Sequence, residues 1–232
     1  MVSINSNTIQ NLIGDIREAQ PLNNETLTAI VESCRLTAST FSNFEKFNHP
    51  GVESYGRALI HDNGNFKIML MSWLPGDFTA IHSHGFVEWG CVCFFGDISL
   101  RQYEFSDDTL KMVEKQTSTE GIIAPVHGDL IHIMGNAGKR GITTLHIYGS
   151  NSHNRDISKD SKVYYPECQK LVTTMGSAFL IQDSNLVLHE MRFSSVNKDL
   201  LADYFDLVSP YYERNNRTDI IEQMKHCLMP PK

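Results

Sequence analysis

Two histidines separated by one residue, His82 and His84, lie in the stretch of residues 75–96, PGDFTAIHSHGFVEWGCVCFFG. In a β-strand, residues i and i+2 point to the same face of the sheet, so these two imidazoles can bind one metal ion if other segments supply further ligands. A pair of solvent-facing histidines on a sheet is the alternative interpretation. Glu88 follows four residues after His84 and adds a carboxylate to the same stretch.

Further residues with the chemistry of a metal-dependent site occur in three other segments. His132, in PVHGDLIHIMGN, supplies a third imidazole. In TTLHIYG, Thr144, His146 and Tyr148 alternate onto one face of a strand. Arg57 offers a planar guanidinium that pairs well with a carboxylate. Taken alone, Arg57 could be a structural ion-pair residue and Tyr148 a buried tyrosine with a satisfied hydroxyl.

The order of these segments resembles the cupin superfamily and, within it, the cysteine dioxygenase family of thiol dioxygenases. Gly76, the His82–His84 pair and Glu88 fit the first cupin motif, and residues 128–136 fit the second more loosely. SYGRALIHDNGNFKIMLMSW resembles the family's strand pair before the two histidines, with Arg57 at its carboxylate-binding arginine. TTLHIYG resembles its Ser-Leu-His-x-Tyr segment, with threonine in place of serine. The resemblance covers residues 55–149.

What the resemblance implies is a mononuclear non-haem Fe(II) site, one iron per chain, held by His82, His84 and His132. Such proteins add O2 to a small thiol and form a sulfinic acid. Neutral imidazoles suit Fe(II), and a three-histidine site leaves positions for a thiolate and O2. The first expected substrate is L-cysteine, and 3-mercaptopropionate or a related thiol acid is the second.

The resemblance also implies roles for the residues around the iron. Arg57 would pair with the substrate carboxylate. Tyr148 would place a phenol near the bound substrate and oxygen, His146 would hydrogen-bond Tyr148, and Thr144 would support His146 from behind.

Trp89 occupies the place where many eukaryotic members carry a cysteine that crosslinks to the catalytic tyrosine. We therefore predict no thioether at Tyr148, and we place Trp89 among the substrate-binding residues. Cys91 has the same strand parity as Trp89 and is the thiol that could face inward instead.

Two other functions are consistent with these motifs. If Glu88 binds metal as a fourth ligand, as in many cupins, a carbon-substrate dioxygenase or an isomerase with a His/His/Glu/His site is expected. A non-catalytic cupin that binds a small ligand is the other alternative.

Periodicity in the sequence predicts the elements that position these residues. Residues 6–20 and 24–40 carry apolar residues at helical spacing, and many short strands separated by turn residues follow from about residue 54. Residues 151–170 are polar and predict a loop, and one or two helices, interrupted near Pro210, are predicted after residue 194. The expected fold is an all-β cupin barrel, a double-stranded β-helix or jelly roll, with flanking N- and C-terminal helices. Its predicted divisions are an N-terminal helical segment (1–50), the barrel (51–193) and a C-terminal helical extension (194–232).

Composition narrows the class of protein. The formal net charge of −7 argues against nucleic acid as a partner, because a phosphate backbone attracts basic surfaces. No apolar run is long enough to span a bilayer, and the N-terminal sequence lacks the pattern of a signal peptide. Five cysteines without a C-x-x-C pair indicate free thiols in a reducing compartment. We therefore expect a cytoplasmic monomer or homodimer whose partners are a small thiol and O2.

Overall fold

The computed structural model describes residues 3–152, 157 and 159–228. Two α-helices, α1 (Ser3–Glu18) and α2 (Asn24–Ser33), and a 3-10 helix (Ala38–Phe44) precede the first strand. Asn23 caps α2, since its side chain accepts a hydrogen bond from the backbone N–H of Thr26 at 2.8 Å.

Thirteen strands follow in the described part of the chain, and they build two sheets. They are β1 (Gly56–Asp62), β2 (Phe66–Trp73), β3 (Ile81–His82), β4 (Trp89–Phe94), β5 (Ile98–Ser106), β6 (Thr109–Ser118), β7 (Ile123–Val126), β8 (Ile131–Gly135), β9 (Ile142–Gly149), β10 (Ser161–Tyr165), β11 (Lys170–Thr174), β12 (Val187–Arg192) and β13 (Ser195–Val196). The first sheet has the order β1-β2-β9-β4-β7, and the second has the order β12-β11-β10-β3-β8-β5-β6-β13. All pairings are antiparallel except that of β13 with β6.

The expected strand-rich barrel with helices at both ends is therefore present. The description all-β is only approximate, because α3 (Lys198–Arg214) and α4 (Thr218–Leu228) join the two N-terminal helices in flanking the sheets. None of the described helices is long and apolar enough to cross a membrane.

Strand β2 shows why the first sheet is apolar on both faces. Ile68 and Leu70 pack outward against α1 and α2, whereas Met69 and Met71 point into the barrel. Since side chains alternate along a strand, a strand buried on both faces has a continuous apolar sequence, as FKIMLMSW does.

The C-terminal helices cover the second sheet. Leu200, Tyr204 and Tyr211 of α3 share a buried cluster with residues of β3 and β10. Asp203 of α3 accepts hydrogen bonds from Arg101 at 2.8 Å and Lys115 at 2.5 Å, which ties the helix to β5 and β6.

Two local expectations were wrong, and one strand was not predicted. Residues 151–170 do not form only a loop, because β10 lies within them and pairs with both β3 and β11. Strand β6 was not predicted, because its exposed residues give it little apolar alternation. Pro210 does not interrupt α3; its ring lies on the exposed side of the helix, where water can satisfy the carbonyl that a proline leaves without a partner.

Candidate metal centre and substrate pocket

Three imidazoles converge inside the barrel. His82 at the end of β3 is paired in register with His132 of β8, and His84 follows just after β3. One ring nitrogen from each of the three histidines lies within 4.8 Å of the others. Sheet pairing thus brings together residues 50 positions apart in sequence, as the metal-site prediction requires.

The orientation and charge of these histidines fit metal ligation. His82 Nδ1 lies 3.0 Å from the carbonyl oxygen of Ala80, which fixes a proton on Nδ1 and leaves Nε2 for a metal. Burial lowers the pKa of His82 to about 4 and holds the pKa values of His84 and His132 well below the ordinary value. All three imidazoles are therefore neutral at physiological pH, which is the form that binds metal.

The separation of two ring nitrogens tests whether one ion fits. His84 Nε2 and His132 Nε2 are 2.9 Å apart. Two nitrogens bound at right angles to one ion, at about 2.1 Å each, would be about 3.0 Å apart. The spacing of His84 and His132 therefore suits two adjacent ligand positions on a single transition-metal ion, and His82 belongs to the same group of possible ligands.

Glu88 is not part of this group. Its Oε2 accepts a hydrogen bond from Asn151 N at 2.6 Å and its Oε1 accepts one from Ser152 Oγ at 2.7 Å, at the protein surface. Among the described residues, the group of metal-ligating side chains contains histidines alone. The structure therefore does not place at the metal site the glutamate ligand that the His/His/Glu/His alternative requires.

A buried chain of hydrogen bonds runs beside the three histidines. Trp73 Nε1 donates to Thr144 Oγ1 at 2.9 Å, Thr144 Oγ1 and His146 Nε2 are 2.7 Å apart, and His146 Nδ1 and the Tyr148 hydroxyl are 2.6 Å apart. The ring centroids of Tyr148 and His84 are 5.1 Å apart. The contacts expected among Thr144, His146 and Tyr148 are therefore present.

Trp73 determines the direction of donation along this series of hydrogen bonds. An indole N–H can only donate, so Thr144 Oγ1 accepts from Trp73 and turns its own hydrogen to His146 Nε2, the other described partner within reach. Burial lowers the pKa of His146 to about 3, so this ring is neutral and carries its one hydrogen on Nδ1. It donates that hydrogen to the Tyr148 oxygen. The Tyr148 O–H is then free to point into the pocket.

Arg57 and Tyr148 both line the pocket that His82 and His84 border. Arg57 donates from Nε and Nη2 to Met69 Sδ at 3.3 and 2.9 Å, and from Nη1 to Ser177 Oγ at 2.5 Å. Burial raises the pKa of Tyr148 well above its ordinary value, so the phenol keeps its proton. Lys67 also lines the pocket, and the described lining residues include no Asp or Glu.

Sequence reasoning missed Ser177, which lies 120 positions after Arg57 and carries no motif. No signal in a single sequence indicates that residues 175–178 return to the pocket, because their position depends on how β11 pairs in the second sheet.

Trp89 lies outside the pocket, so the expectation that it binds substrate was wrong. Its indole is fully buried on the other face of the first sheet, with Cys91 and Phe66, and it donates a hydrogen bond to Asn151 Oδ1 at 3.1 Å. Gly90 is the residue that faces Tyr148, since a Cβ built on it would lie 2.9 Å from Tyr148 Cδ1.

The sequence model of the cysteine dioxygenase type I family matches residues 2–153, more than half of the 232 residues. The chain belongs to the cysteine dioxygenase type I family. The family match includes the three histidines, Arg57 and the Thr144–Tyr148 segment, and it ends before β10. Among curated proteins, none matches this member of the family significantly.

Several solved structures resemble this family member at low sequence identity. A sugar phosphate isomerase of the cupin superfamily from Silicibacter pomeroyi is 16% identical with a TM-score of 0.40, over 62% of this chain and 83% of that one. A cupin superfamily protein from Desulfitobacterium hafniense is 15% identical with a TM-score of 0.34, over 45% and 81%. A Klebsiella pneumoniae protein with a double-stranded β-helix domain is 13% identical with a TM-score of 0.36, over 47% and 88%.

Proposed function

We propose that this protein is an iron-dependent thiol dioxygenase that converts a small carboxylate-bearing thiol, L-cysteine first, to its sulfinic acid. The observation that supports it best is one pocket lined by His82, His84, the Tyr148 phenol and the Arg57 guanidinium, with His132 in the same group of possible metal ligands as the two histidines. Family membership supports the same reaction class.

His82, His84 and His132 would hold one Fe(II) per chain. When bound, the iron supplies the positions at which the thiol sulfur and O2 meet and the redox chemistry that joins them. Both oxygen atoms of O2 bond to sulfur, and sulfur supplies the electrons that reduce them. The reaction therefore needs no external reductant.

The charges of the pocket support an anionic substrate. Arg57 is cationic, Lys67 adds a second positive charge although its Nζ lies 3.5 Å from Asp62 Oδ2, and the described lining residues offer no carboxylate that would repel a substrate carboxylate. Binding of the carboxylate at Arg57 would orient the thiol toward the histidines, since a guanidinium N–H forms a strong, charge-assisted hydrogen bond with a carboxylate.

Tyr148 would act on the reacting end of the substrate. Its proton stays in place because burial raises its pKa, and the chain from Trp73 directs that O–H into the pocket. A hydrogen bond from this hydroxyl would stabilise negative charge that develops on sulfur or oxygen. Met69, Met71 and Val87 line the same pocket and limit access of water.

The free cysteines bear on the compartment in which the protein works. All five cysteines are free, which suits a reducing compartment, so we place the enzyme in the cytoplasm as a monomer or homodimer. Neither nucleic acid nor membrane is expected as a partner.

Oxygen uptake tests the proposal. The purified chain is loaded anaerobically with Fe(II) and mixed with air-saturated L-cysteine, 3-mercaptopropionate or cysteamine, the last of which lacks a carboxylate. Uptake is expected with a thiol that carries a carboxylate, with sulfinate as the product, and much weaker uptake with cysteamine. If no thiol stimulates uptake above that of free iron, the protein is not a thiol dioxygenase and a ligand-binding role takes its place.

A further inference from the structure

We infer that Ser177 positions the substrate carboxylate together with Arg57 and so helps to set specificity; this rests on the function proposed above. Ser177 lies in residues 175–179, beyond the end of the family match at residue 153. Its Oγ accepts a hydrogen bond from Arg57 Nη1 at 2.5 Å, and both residues line the pocket.

The Ser177 hydroxyl still has a hydrogen to donate. A serine hydroxyl can accept and donate at once, and among the residues that the structure describes Ser177 Oγ donates no hydrogen bond. The Nε and Nη2 side of Arg57 faces the Met69 thioether, which is only a weak acceptor. A carboxylate beside Nη1 would therefore receive an N–H from Arg57 and the O–H of Ser177.

The backbone around Ser177 is held in place by its own hydrogen bonds. Gly176 N donates to Thr174 Oγ1 at 2.8 Å, and Gln182 Nε2 donates to the carbonyl oxygen of Ser177 at 2.6 Å. Thr174 is fully buried. The hydroxyl is thus presented by a fixed backbone, which lowers the entropic cost of using it to bind a ligand.

The same segment is joined to the metal site. Ala80 N donates to the carbonyl oxygen of Ala178 at 2.8 Å, and the carbonyl oxygen of Ala80 accepts from His82 Nδ1 at 3.0 Å. The distance between the carboxylate end and the metal end of the pocket is therefore fixed by a short run of backbone contacts. Such a pocket favours thiols of one length between sulfur and carboxylate.

Steady-state kinetics of the full, iron-loaded chain test this role. For Ser177→Ala we expect a KM for the preferred carboxylate-bearing thiol about tenfold higher, the size of one lost hydrogen bond to a charged group, with kcat little changed. Turnover of cysteamine should not respond, because it has no carboxylate. Ser177→Thr keeps the hydroxyl and should restore the KM.

Anaerobic calorimetry of 3-mercaptopropionate binding separates this inference from the proposed function. A Kd about tenfold weaker for Ser177→Ala supports the role of Ser177 even if the wild type oxidises no thiol, in which case the proposed function alone fails. Equal KM and Kd values for wild type and Ser177→Ala, with normal turnover, overturn the role of Ser177 alone. Failure of the wild type to bind either 3-mercaptopropionate or L-cysteine overturns both.

Discussion

Trp73 donates its indole N–H to the hydroxyl oxygen of Thr144 at 2.9 Å, and both side chains are fully buried. This bond leaves the Thr144 hydrogen for His146 and fixes which ring nitrogen of His146 carries a proton. The direction in which the Tyr148 hydroxyl points therefore depends on a residue that does not touch it.

Substitution of Thr144 by Val tests that dependence, because valine has nearly the shape of threonine without the hydroxyl. We expect kcat to fall about tenfold while iron content is unchanged, since one hydrogen bond that orients a catalytic group is lost. Tyr148→Phe, which removes the reacting hydroxyl itself, should lower kcat further, again with iron retained. A Thr144→Val enzyme with wild-type kcat would show that the tautomer of His146 has no effect on turnover.

The expectation that Tyr148 carries no thioether was based on Trp89, but in the structure Gly90 is the residue that faces Tyr148. Cys91 points away from Tyr148 into the buried cluster that it shares with Phe66 and Trp89, and Gly90 has no side chain that could form the bond. The wild-type chain should therefore run as one band on a denaturing gel. Two bands that merge after Tyr148→Phe would reveal a crosslink and contradict this.

Gly90 also leaves room for the Tyr148 ring. A Cβ at position 90 would lie 2.8 Å from the carbonyl oxygen of Ile147 and 2.9 Å from Tyr148 Cδ1, so Gly90→Ala must displace one of them. We expect a loss of about 1–3 kcal/mol in the free energy of unfolding, measured in urea, and a fall in kcat. Gly14→Ala on α1, where a Cβ meets no atom within 4 Å, is the control and should not lower stability.

Glu88 should be dispensable for metal binding. Its carboxylate holds Asn151 and Ser152 at the surface, so Glu88→Ala should keep one iron per chain and lose about 1 kcal/mol or less of stability. Metal analysis after dialysis measures this, with His132→Ala as the variant that should lose iron. Loss of iron from Glu88→Ala would contradict this and show that the Glu88 carboxylate is needed for metal binding.

Glu167 makes stability depend on pH. Burial raises its pKa from 4.5 to about 7, against smaller opposing effects of Tyr204 and Lys170. Between these two pH values the folded chain holds a proton that the unfolded chain releases, so stability falls as pH rises through this window. The full cost above about pH 7 is about 3 kcal/mol.

Glu167→Gln removes that cost, because an amide does not ionise. Its urea midpoint should exceed that of the wild type at about pH 8 and approach it at about pH 4. Glu104→Gln, at an exposed position on β5, is the matched control for the substitution itself. Parallel stability curves for wild type and Glu167→Gln would show that the carboxyl does not titrate in this window.

The sequence predicted the metal-ligand candidates better than their surroundings. The histidines could be found because their spacing and order match a family motif, and β3–β8 pairing then places His82 opposite His132. Trp89 was assigned to the pocket because the resemblance puts it at the place of the family's crosslinking cysteine, whereas in the structure Gly90 is the residue that faces Tyr148. Ser177 could not be found, because its contact with Arg57 depends on the pairing of β10 and β11 and on a turn without a motif.

The central claim is that three imidazoles hold an iron at which a thiol is oxygenated, and isotopic labelling tests it most directly. Iron-loaded protein is given the thiol under labelled O2, and the product is analysed by mass spectrometry. We predict a sulfinate with both oxygen atoms labelled, formed by the wild type and not by His132→Ala. An unlabelled product, or equal formation by both proteins, would contradict the claim.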